Sequence, residues 1–393
     1  MEKNVSPKVS VIIPVYKVHK YLFQCISSVV NQTLKDIEIL LIDEGEEDTC
    51  YAIMRYFAAK DSRVHIVHEK NGGYGASCNR GIKLARGEYI SIVESDDFIE
   101  KTMLEDMYRE GKKTDSDIVK TPFYFFKDGN NSSPSEKFEC DFIKRFNATI
   151  PNKPITCLDY PGFLGIHPSI WSAIYKKNFL KDNGIVFIEA KGAGYVDNPF
   201  RIETMLSAKK ILWLGVSYYN YRITNTEASS HEGLYDIGAM QARWKEVFSL
   251  FDTKYSGTWN RTVGELVKEF YLCIYRPCTL NSITKQQQRK FEELLDRFTP
   301  EEIKSSPRLL PSEKKELLST YYVDESKVGD SQINFYDIFP KIVKRLLKFT
   351  HFEITINQRG IYIHLLKEIR KKIFSQDFSL LRKFHIALII GSK

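Results

Sequence analysis

The most constraining feature of the sequence is a regular alternation of apolar runs and helix-length segments over the first hundred residues. The apolar runs are rich in β-branched residues and lie at Val9–Val15, Ile37–Ile42, Val64–Val67 and Tyr89–Val93. The segments between them carry apolar residues at helical spacing, near residues 21–30, 49–59 and 76–85. Continuous apolar strands separated by helices are typical of a parallel sheet with right-handed crossovers. The sequence therefore predicts an α/β fold with a mostly parallel central sheet flanked by helices.

Polar residues follow each of these predicted strands. They are Tyr16, Asp43–Asp48, Glu69–Gly75 and Glu94–Asp97. In open parallel sheets, ligands bind beyond the carboxyl ends of the strands. We therefore expect these four sets of residues to line a ligand site at one edge of the sheet.

The rest of the chain divides into a less regular part and a helical part. Residues 121–165 are rich in Pro, Asn and Ser and predict an irregular insertion, with a mobile loop at Asn130–Ser135. Order resumes at Ile170–Leu180, and later patterns predict a helix at Pro199–Leu206 and strands at Ile211–Leu214 and Tyr218–Arg222. From residue 233 helical spacing dominates, with predicted helices at Tyr235–Phe251, Val263–Tyr275, Gln286–Phe298 and Pro311–Tyr321.

The positive charge of the chain is concentrated at its C-terminal end. The net charge is +7, yet residues 340–393 alone hold twelve Lys or Arg and three Asp or Glu. Within this segment Ile361–Phe374 has an apolar face opposite a basic face, so it predicts a helix. Such a helix either lies on an anionic membrane surface or packs on the protein or a partner subunit, and the sequence does not decide between them. Nucleic acid is not an expected partner, because no recognition motif accompanies the charge.

The composition and the cysteine pattern indicate the cellular compartment of the protein. No apolar run approaches the ~18 residues of a membrane span, and the N-terminus carries no signal-peptide pattern. The seven cysteines form no C-x-x-C pair, so we interpret them as reduced thiols. These features predict a cytoplasmic protein. A peripheral contact of the C-terminal segment with the inner face of the cytoplasmic membrane is one of the two open interpretations of that segment.

The residues with the clearest chemistry are Glu94-Ser95-Asp96-Asp97, directly after the fourth strand. Carboxylates at this density suit Mg²⁺ or Mn²⁺, which also bind the phosphates of a substrate. The alternative interpretation is an acidic turn in which Asp97 caps the next helix. A second acidic cluster, Asp43–Asp48, follows another strand of the same sheet and favours a metal–nucleotide site.

The sequence resembles the family 2 glycosyltransferases, which have the GT-A fold. The similarity runs through VSVIIPVY (9–16), LIDEGEED (41–48), NGGYGASCNRGI (71–82) and ARGEYISIVESDD (85–97), and continues at IWSAIYKKNFL (170–180), VDNPF (196–200) and YYNYRITNTEASS (218–230). It covers about residues 5–230. The resemblance implies a GT-A catalytic domain at 1–230, divided into a nucleotide-binding half (1–120) and an acceptor-side half (121–230). A mainly helical region follows at 231–393.

The resemblance also implies a role for particular residues. It assigns the donor site to Pro14, Val15, Tyr16, Asp43, Glu44, Asn71, Arg80, Glu94, Ser95, Asp96 and Arg222. Tyr16 would pack near the base, and Asp43 and Glu44 would reach the base and ribose. Asp96 would be the direct ligand of Mn²⁺ or Mg²⁺. Asp197 would be the catalytic base, and Arg222 would help to hold the diphosphate.

Three positions depart from the family pattern. Glu44 and Glu94 stand where the family has Asp, and Val196 stands where an acid precedes the base. Asp197 is therefore isolated, and its alternative role is an N-cap of the helix that contains Pro199. Glu189 and Glu203 are the reserve candidates for the base.

Several other residues are interpreted as structural. They are His167, His231, Cys273, Cys278 and the helical segment Gln241–Trp244. A sugar nucleotidyltransferase is a weaker alternative, because Pro14–Val18 lacks the glycine-rich phosphate loop of that class.

The resemblance thus implies an inverting, metal-dependent glycosyltransferase. It would move a sugar from a nucleotide diphosphate, with UDP as the expected nucleotide, to a hydroxyl of a glycan or lipid-linked glycan in surface polysaccharide biosynthesis. Oligomerisation is compatible with the sequence but not specified by it. The alternative is a catalytically decayed GT-A protein that acts as a binding or scaffolding subunit, which the three departures motivate.

Overall fold

The computed structural model describes residues 6–321, except 46–47, 69, 130–133, 142, 144–149, 166, 192–193, 227–235 and 281–282. The basic segment 340–393 with its predicted helix Ile361–Phe374, most of the predicted mobile loop, and His231 lie outside the described residues. Residues 1–323 form one compact unit. Within the described part of the chain, no helix has the length and apolarity needed to cross a bilayer.

The first four strands form the parallel part of the central sheet, as the sequence predicts. They are β1 (Val9–Val15), β2 (Ile37–Asp43), β3 (Val64–His68) and β4 (Tyr89–Ile92), and they lie in the order β4-β1-β2-β3. The helices between them are α1 (His19–Val30), α2 (Thr49–Lys60) and α3 (Tyr74–Leu84). Every residue of β1, β2 and β4 is buried, which explains their uninterrupted apolar runs.

Later parts of the chain extend this sheet to seven strands. The added strands are β6 (Ile118–Lys120), β9 (Ala173–Lys176) and β10 (Ile211–Trp213), and the full order is β10-β6-β9-β4-β1-β2-β3. β9 lies between β4 and β6 and is antiparallel to both. The predicted halves 1–120 and 121–230 therefore share one sheet, while their division into domains stays a prediction.

A second sheet of four strands lies beside the first, in the order β5-β11-β7-β8. Its strands are β5 (Phe98–Ile99), β7 (Phe123–Lys127), β8 (Glu136–Cys140) and β11 (Tyr219–Arg222). The prediction of an irregular insertion at 121–165 is wrong for β7 and β8, which pair as an antiparallel hairpin. The aromatic run of β7 is stabilised by packing across elements, because the Phe123 ring lies 4.8 Å from the indole of Trp171.

The remaining elements are helical, in agreement with the predicted C-terminal region. Around the sheets lie α4 (Met103–Thr114), α5 (Lys177–Asp182) and α6 (Asp197–Ser207), and the C-terminal region contains α7 (Ile237–Thr253), α8 (Trp259–Phe270), α9 (Arg276–Leu280), α10 (Lys285–Leu295), α11 (Pro300–Ser305) and α12 (Pro311–Tyr321). A π-helical turn at Tyr271–Tyr275 joins α8 to α9. All seven cysteines are free thiols, as predicted.

Helix α3 packs closely on β1 because Gly81 faces the strand. A Cβ atom at residue 81 would lie 2.4 Å from Cγ2 of Ile12, which is fully buried. Any side chain at this position must therefore displace either the helix or the strand. Since α3 and β1 both border the ligand edge of the sheet, this contact fixes the spacing of elements that carry site residues.

We predict that Gly81→Val lowers the free energy of unfolding by about 2–3 kcal/mol, because overpacking a filled core forces side chains and backbone to move. Gly215→Val is the matched control, since a Cβ atom there meets nothing within 4 Å. Urea unfolding of both variants measures the difference. Equal midpoints for the two variants would contradict the close packing of α3 on β1.

Candidate functional site

The parallel register brings the ends of three strands to one level. Val15 pairs with Asp43, and Asp43 pairs with His68. The buried Asp43 carboxylate is bound from two sides: Oδ2 lies 2.8 Å from Nδ1 of His68, and Oδ1 accepts a hydrogen bond from the Gly45 N–H at 3.0 Å. Asp43 therefore shapes the floor of the candidate donor site, and its predicted contact with the base stays a prediction.

The neighbouring loops are tied to this edge. Oε1 of Glu44 accepts a hydrogen bond from the Gly72 N–H at 3.2 Å, and Oδ1 of Asn71 accepts one from the Gly73 N–H at 3.1 Å. The structure thus joins the loop after β2 to the loop before α3. It places the predicted residues Glu44 and Asn71 together.

Other predicted donor-site residues differ in exposure. Pro14 and Val15 are buried within β1, whereas the Tyr16 side chain is 49% exposed at the end of that strand. Arg80 lies on α3 and is partly buried. An exposed ring at the strand end is available to a ligand, so the predicted stacking of Tyr16 is compatible with its position.

The acidic turn after β4 carries two carboxyl groups that are only partly exposed. Oε1 of Glu94 accepts a hydrogen bond from the Tyr74 hydroxyl at 2.5 Å. Burial raises the pKa of Glu94 to about 8, with the charges of Asp96 and Asp197 adding to the shift. Burial also raises the pKa of Asp96, whose Oδ2 accepts a hydrogen bond from Nδ2 of Asn225 at 2.8 Å. Ser95 lies between them.

Asp97 has a structural role that differs from the predicted helix cap. Residue Thr102, not Asp97, occupies the N-cap position of α4. The Asp97 carboxylate accepts hydrogen bonds from the Tyr219 hydroxyl at 2.9 Å and from the Arg222 N–H at 2.7 Å. The same Tyr219 hydroxyl accepts a hydrogen bond from the Glu94 N–H at 2.9 Å. Strand β11 therefore holds the acidic turn at both ends.

Arg222 reinforces this attachment through its side chain. Its Nε donates to the backbone oxygen of Asp96 at 2.7 Å, its Nη2 donates to Oε1 of Gln24 at 2.6 Å, and its Nη1 pairs with Asp128. The guanidinium also lies 4.6 Å from the ring centre of Tyr21. The structure thus shows Arg222 supporting the acidic turn, and its predicted contact with a diphosphate stays a prediction. We call Tyr219, Arg222 and Asn225 the β11 clamp.

Asp197 faces the acidic turn from the first residue of α6. The N-cap position belongs to Val196, whose side chain makes no capping hydrogen bond, so the alternative N-cap role of Asp197 is wrong. Burial raises the pKa of Asp197, and the Arg201 charge opposes the rise. The charges of Asp197 and Glu94 interact. The structure therefore brings the candidate base and the acidic turn to one site.

The two reserve candidates for the base are engaged elsewhere. Glu189 accepts a hydrogen bond from Nδ2 of Asn79, and Glu203 forms an ion pair with Lys254 at 2.9 Å. His167, interpreted as structural, packs its ring 5.2 Å from that of Phe123, and burial lowers its pKa to about 3. A neutral histidine among aromatic rings is consistent with that interpretation.

Sequence reasoning missed Tyr74, Tyr219 and Asn225, although all three lie inside the segments that carried the resemblance. No signal in the sequence told which carboxyl group each hydroxyl or amide would reach, whether 20 residues away, as for Tyr74, or more than a hundred, as for Tyr219 and Asn225. Within the described residues, no three His, Cys, Asp or Glu side chains converge to hold a metal ion. The carboxyl groups of Glu94 and Asp96 are the available oxygen ligands at this edge.

Comparison with known proteins agrees with this architecture. The model of glycosyl transferase family 2 matches residues 10–178. The cholesterol galactosyltransferase of Borreliella burgdorferi is 30% identical over 289 residues, which cover 68% of this chain and 73% of that protein. The uncharacterized glycosyltransferase EpsJ of Bacillus subtilis is 30% identical over 222 residues, which cover 55% of this chain and 61% of EpsJ. The match to the glycosyltransferase GlyG of Streptococcus pneumoniae spans 42% of that protein. The chain therefore covers less than two thirds of the length of EpsJ and of GlyG.

A solved structure shows the same fold. The crystal structure of S. aureus TarS 1–349 in complex with UDP-GlcNAc superimposes with a TM-score of 0.56 and 22% identity, over 76% of this chain and 82% of that chain. This likeness confirms the predicted GT-A fold. The family model and the Borreliella relative together show that the chain belongs to glycosyl transferase family 2.

Proposed function

We propose that the protein transfers a sugar from a UDP-sugar to a hydroxyl of a glycan acceptor, with inversion and with a divalent cation, in the synthesis of a surface polysaccharide. The observation that carries the proposal is that the partly buried Glu94 and Asp96 lie on the acidic turn after β4, and that the charge of Glu94 interacts with that of Asp197 at the start of α6. Burial raises the pKa values of all three groups. Acids held together in this way stabilise a bound cation and supply a proton acceptor.

The residues of the acidic turn fit a Mn²⁺ or Mg²⁺ ion. These ions take oxygen ligands and are commonly held by one or two carboxylates together with substrate phosphates. Asp96 would bind the ion directly, and Glu94, held by Tyr74, would contact the ribose or a water on the ion. When bound, the ion neutralises charge that develops on the diphosphate leaving group.

Asp197 would act as the general base. A carboxylate with a raised pKa is a better proton acceptor for an acceptor hydroxyl than an ordinary aspartate. Its position on α6, across from the acidic turn, suits attack from the face of the sugar opposite the leaving group, which inverts the anomeric centre. The N-terminal end of α6 also favours the charged form of Asp197 before the proton is taken.

The remaining donor contacts follow the family resemblance. The exposed Tyr16 ring would pack on the base, beside Pro14 and Val15, while Asp43 and Glu44 would reach the base and ribose. Asn71 and Arg80 would border the nucleotide. Ser95 would contact the donor from within the acidic turn. Arg222, which binds the backbone of this turn, would help to hold the diphosphate. UDP is the proposed nucleotide because the TarS structure of the same fold holds UDP-GlcNAc.

The acceptor and its location are the least specified parts of the proposal. The relatives include a cholesterol galactosyltransferase and a poly(ribitol-phosphate) beta-glucosyltransferase of Bacillus spizizenii, so acceptors differ within the family. We propose a glycan or lipid-linked glycan, met at the inner face of the cytoplasmic membrane, with residues 340–393 contacting anionic lipid. The competing proposal, a decayed protein with a scaffolding role, makes different predictions below.

The first prediction concerns donor binding. In the wild type, UDP with Mn²⁺ should raise the melting temperature by several degrees, because a ligand that binds only the folded state stabilises it. Asp96→Ala should abolish this shift without lowering the melting temperature of the ligand-free protein. The reason is that the pKa of Asp96 is raised, so its charge opposes folding at neutral pH. A thermal-shift titration measures both quantities.

Asp36→Ala is the matched control for this prediction. Asp36 is an exposed acid at the amino end of β2, paired with Lys8. It should leave the UDP shift unchanged. A cooperatively melting wild type that shows no shift with any nucleotide would favour the decayed alternative.

The second prediction concerns the base. Asp197→Asn should lower kcat by about 10²–10⁴-fold, the range typical of losing a general base, while leaving the UDP and Mn²⁺ shift intact. In the wild type the rate should rise with pH as Asp197 loses its proton, at a pH above the ordinary pKa of aspartate. Initial rates of transfer from UDP-sugars across pH measure this. Full activity in Asp197→Asn would exclude Asp197 as the base.

The third prediction concerns the β11 clamp. Tyr219→Phe removes the hydroxyl shared by Asp97 and the Glu94 N–H, and should cost about 1–3 kcal/mol of stability and weaken the Mn²⁺-dependent binding of UDP. Tyr218→Phe is the control on the preceding residue, since its hydroxyl donates to Asp106 at 3.1 Å, away from the turn. Calorimetric titration with UDP compares the two variants. Equal affinities would show that the clamp does not position the acidic turn.

A further inference from the structure

A fully buried arginine lies one helical turn after the candidate base. Arg201 is 1% exposed, and its Nη1 donates a hydrogen bond to the backbone oxygen of Leu164 at 2.8 Å. Its Nη2 donates to Oδ1 of Asn198 at 3.2 Å and lies 3.6 Å from Oε2 of Glu269. A buried guanidinium requires a compensating negative charge. Two carboxylates, Asp197 and Glu269, are available to provide it.

Glu269 comes from α8, in the helical region that follows the segment matched by the family model. It is 7% exposed, and burial raises its pKa while the charge of Arg201 lowers it. The charge of Asp197 acts on Glu269 in the opposite sense to that of Arg201. The Arg201 guanidinium is therefore shared between a carboxylate of the catalytic half and a carboxylate of the C-terminal helices.

We propose that Glu269 is a positioning residue for transfer, which holds Arg201 and so limits the pull of its positive charge on Asp197. The inference rests on the proposed role of Asp197 as the base. Without Glu269, Asp197 is a carboxylate within the described residues on which the Arg201 charge still acts. A closer pair would make Asp197 a weaker proton acceptor and turn it away from the acceptor hydroxyl.

Among the described residues, other titratable groups also interact with Asp197. Besides Arg201 and Glu269, they include Glu94 after β4, Cys78 on α3, Tyr175 on β9, Tyr195 before α6 and Cys273 in the π-helical turn. Burial raises the pKa values of these thiols and phenols, so they are neutral at pH 7. Glu94 and the rest of the acidic turn are unchanged in every variant of the test below. A difference in pH profile between the wild type and a variant at residue 201 or 269 therefore reports the effect of the paired charges of Arg201 and Glu269 on Asp197.

The test uses Glu269→Gln in the full chain, with transfer rates measured from pH 5 to 9. We expect kcat to fall about tenfold, the thermal shift with UDP and Mn²⁺ to stay as in the wild type, and the acidic limb of the kcat profile to move about one unit to lower pH. Glu265→Gln is the matched control one turn earlier on α8. Oε2 of Glu265 accepts a hydrogen bond from Nε of Arg308 at 2.7 Å. Glu265→Gln should therefore leave the acidic limb of the kcat profile at the wild-type pH.

A double variant protects the test against unfolding. Replacing Arg201→Met together with Glu269→Leu removes both charges at similar volume, a change that folded proteins often tolerate. Because the positive charge is then absent, the acidic limb should move to higher pH, opposite to the shift expected for Glu269→Gln. Limbs at the wild-type pH in either folded variant, or an undiminished kcat in Glu269→Gln, would overturn the proposal.

The two proposals fail in different ways. If Asp197→Asn keeps its activity, the base is misassigned, and the inference about Glu269 falls with it. If Asp197→Asn is inactive but Glu269→Gln keeps the wild-type kcat and pH profile, only the role of Glu269 is refuted.

Discussion

The arrangement of the candidate site depends on how the acidic turn after β4 is held in a partly buried position. Placing carboxyl groups away from water costs free energy, and neighbouring negative charges add to that cost. Strand β11 offsets it by hydrogen bonds to Asp97, to the backbone of Asp96 and to the Glu94 N–H. The second sheet therefore supplies, through β11, the hydrogen bonds that hold the acidic turn in place. Through Gln24 and Tyr21, helix α1 is drawn into the same attachment.

The helical C-terminal region is integrated with the catalytic half through buried charges. Besides the pairing of Arg201 with Glu269, the carboxylate of Glu265 binds Arg308, and Arg201 also donates to the backbone oxygen of Leu164 in the short turn at Pro161–Leu164. Gly165, directly after this turn, leaves room for the carboxylate of Glu265, because a Cβ atom at residue 165 would lie 2.5 Å from its Oε2. The helices cannot shift far along this interface, because each buried charged side chain would then lose its oppositely charged partner. The helices are thus part of the rigid frame of the site.

Much of the fold was accessible from the sequence, for a physical reason. Strands β1, β2 and β4 are buried along their whole length, so their apolar runs are continuous and easily recognised in the sequence. By contrast, β7 and β8 adjoin a segment rich in Asn, Ser and Pro, and their stability comes from distant partners such as Trp171. The antiparallel insertion of β9 is a long-range pairing that no local pattern encodes.

The candidate site divides in the same way. Acidic residues after parallel strands are predictable from position, because such strands end at one edge. The partners of those acids are not, since a tyrosine such as Tyr74 or Tyr219 shows no sign in the sequence of which carboxyl group it will meet. A helix cap was the alternative interpretation of Asp97, because the residue precedes a helix, but its carboxylate is bound by Tyr219 and Arg222 of β11 instead. Arg222 makes its observed contacts with the protein, and its predicted contact with a diphosphate stays a prediction.

The strand order also has a consequence for how the chain assembles during synthesis. One edge of β4 pairs with β1, and its other edge pairs with β9, which is synthesised about eighty residues later. Until then the growing chain presents an open apolar edge of the kind that invites mispairing. Closing it requires a contact between distant segments, which is entropically slow. The late arrival of Ala173–Lys176 therefore sets the earliest moment at which the nascent sheet is sealed, and a translational pause before that point would prolong its exposure to chaperones and to other chains.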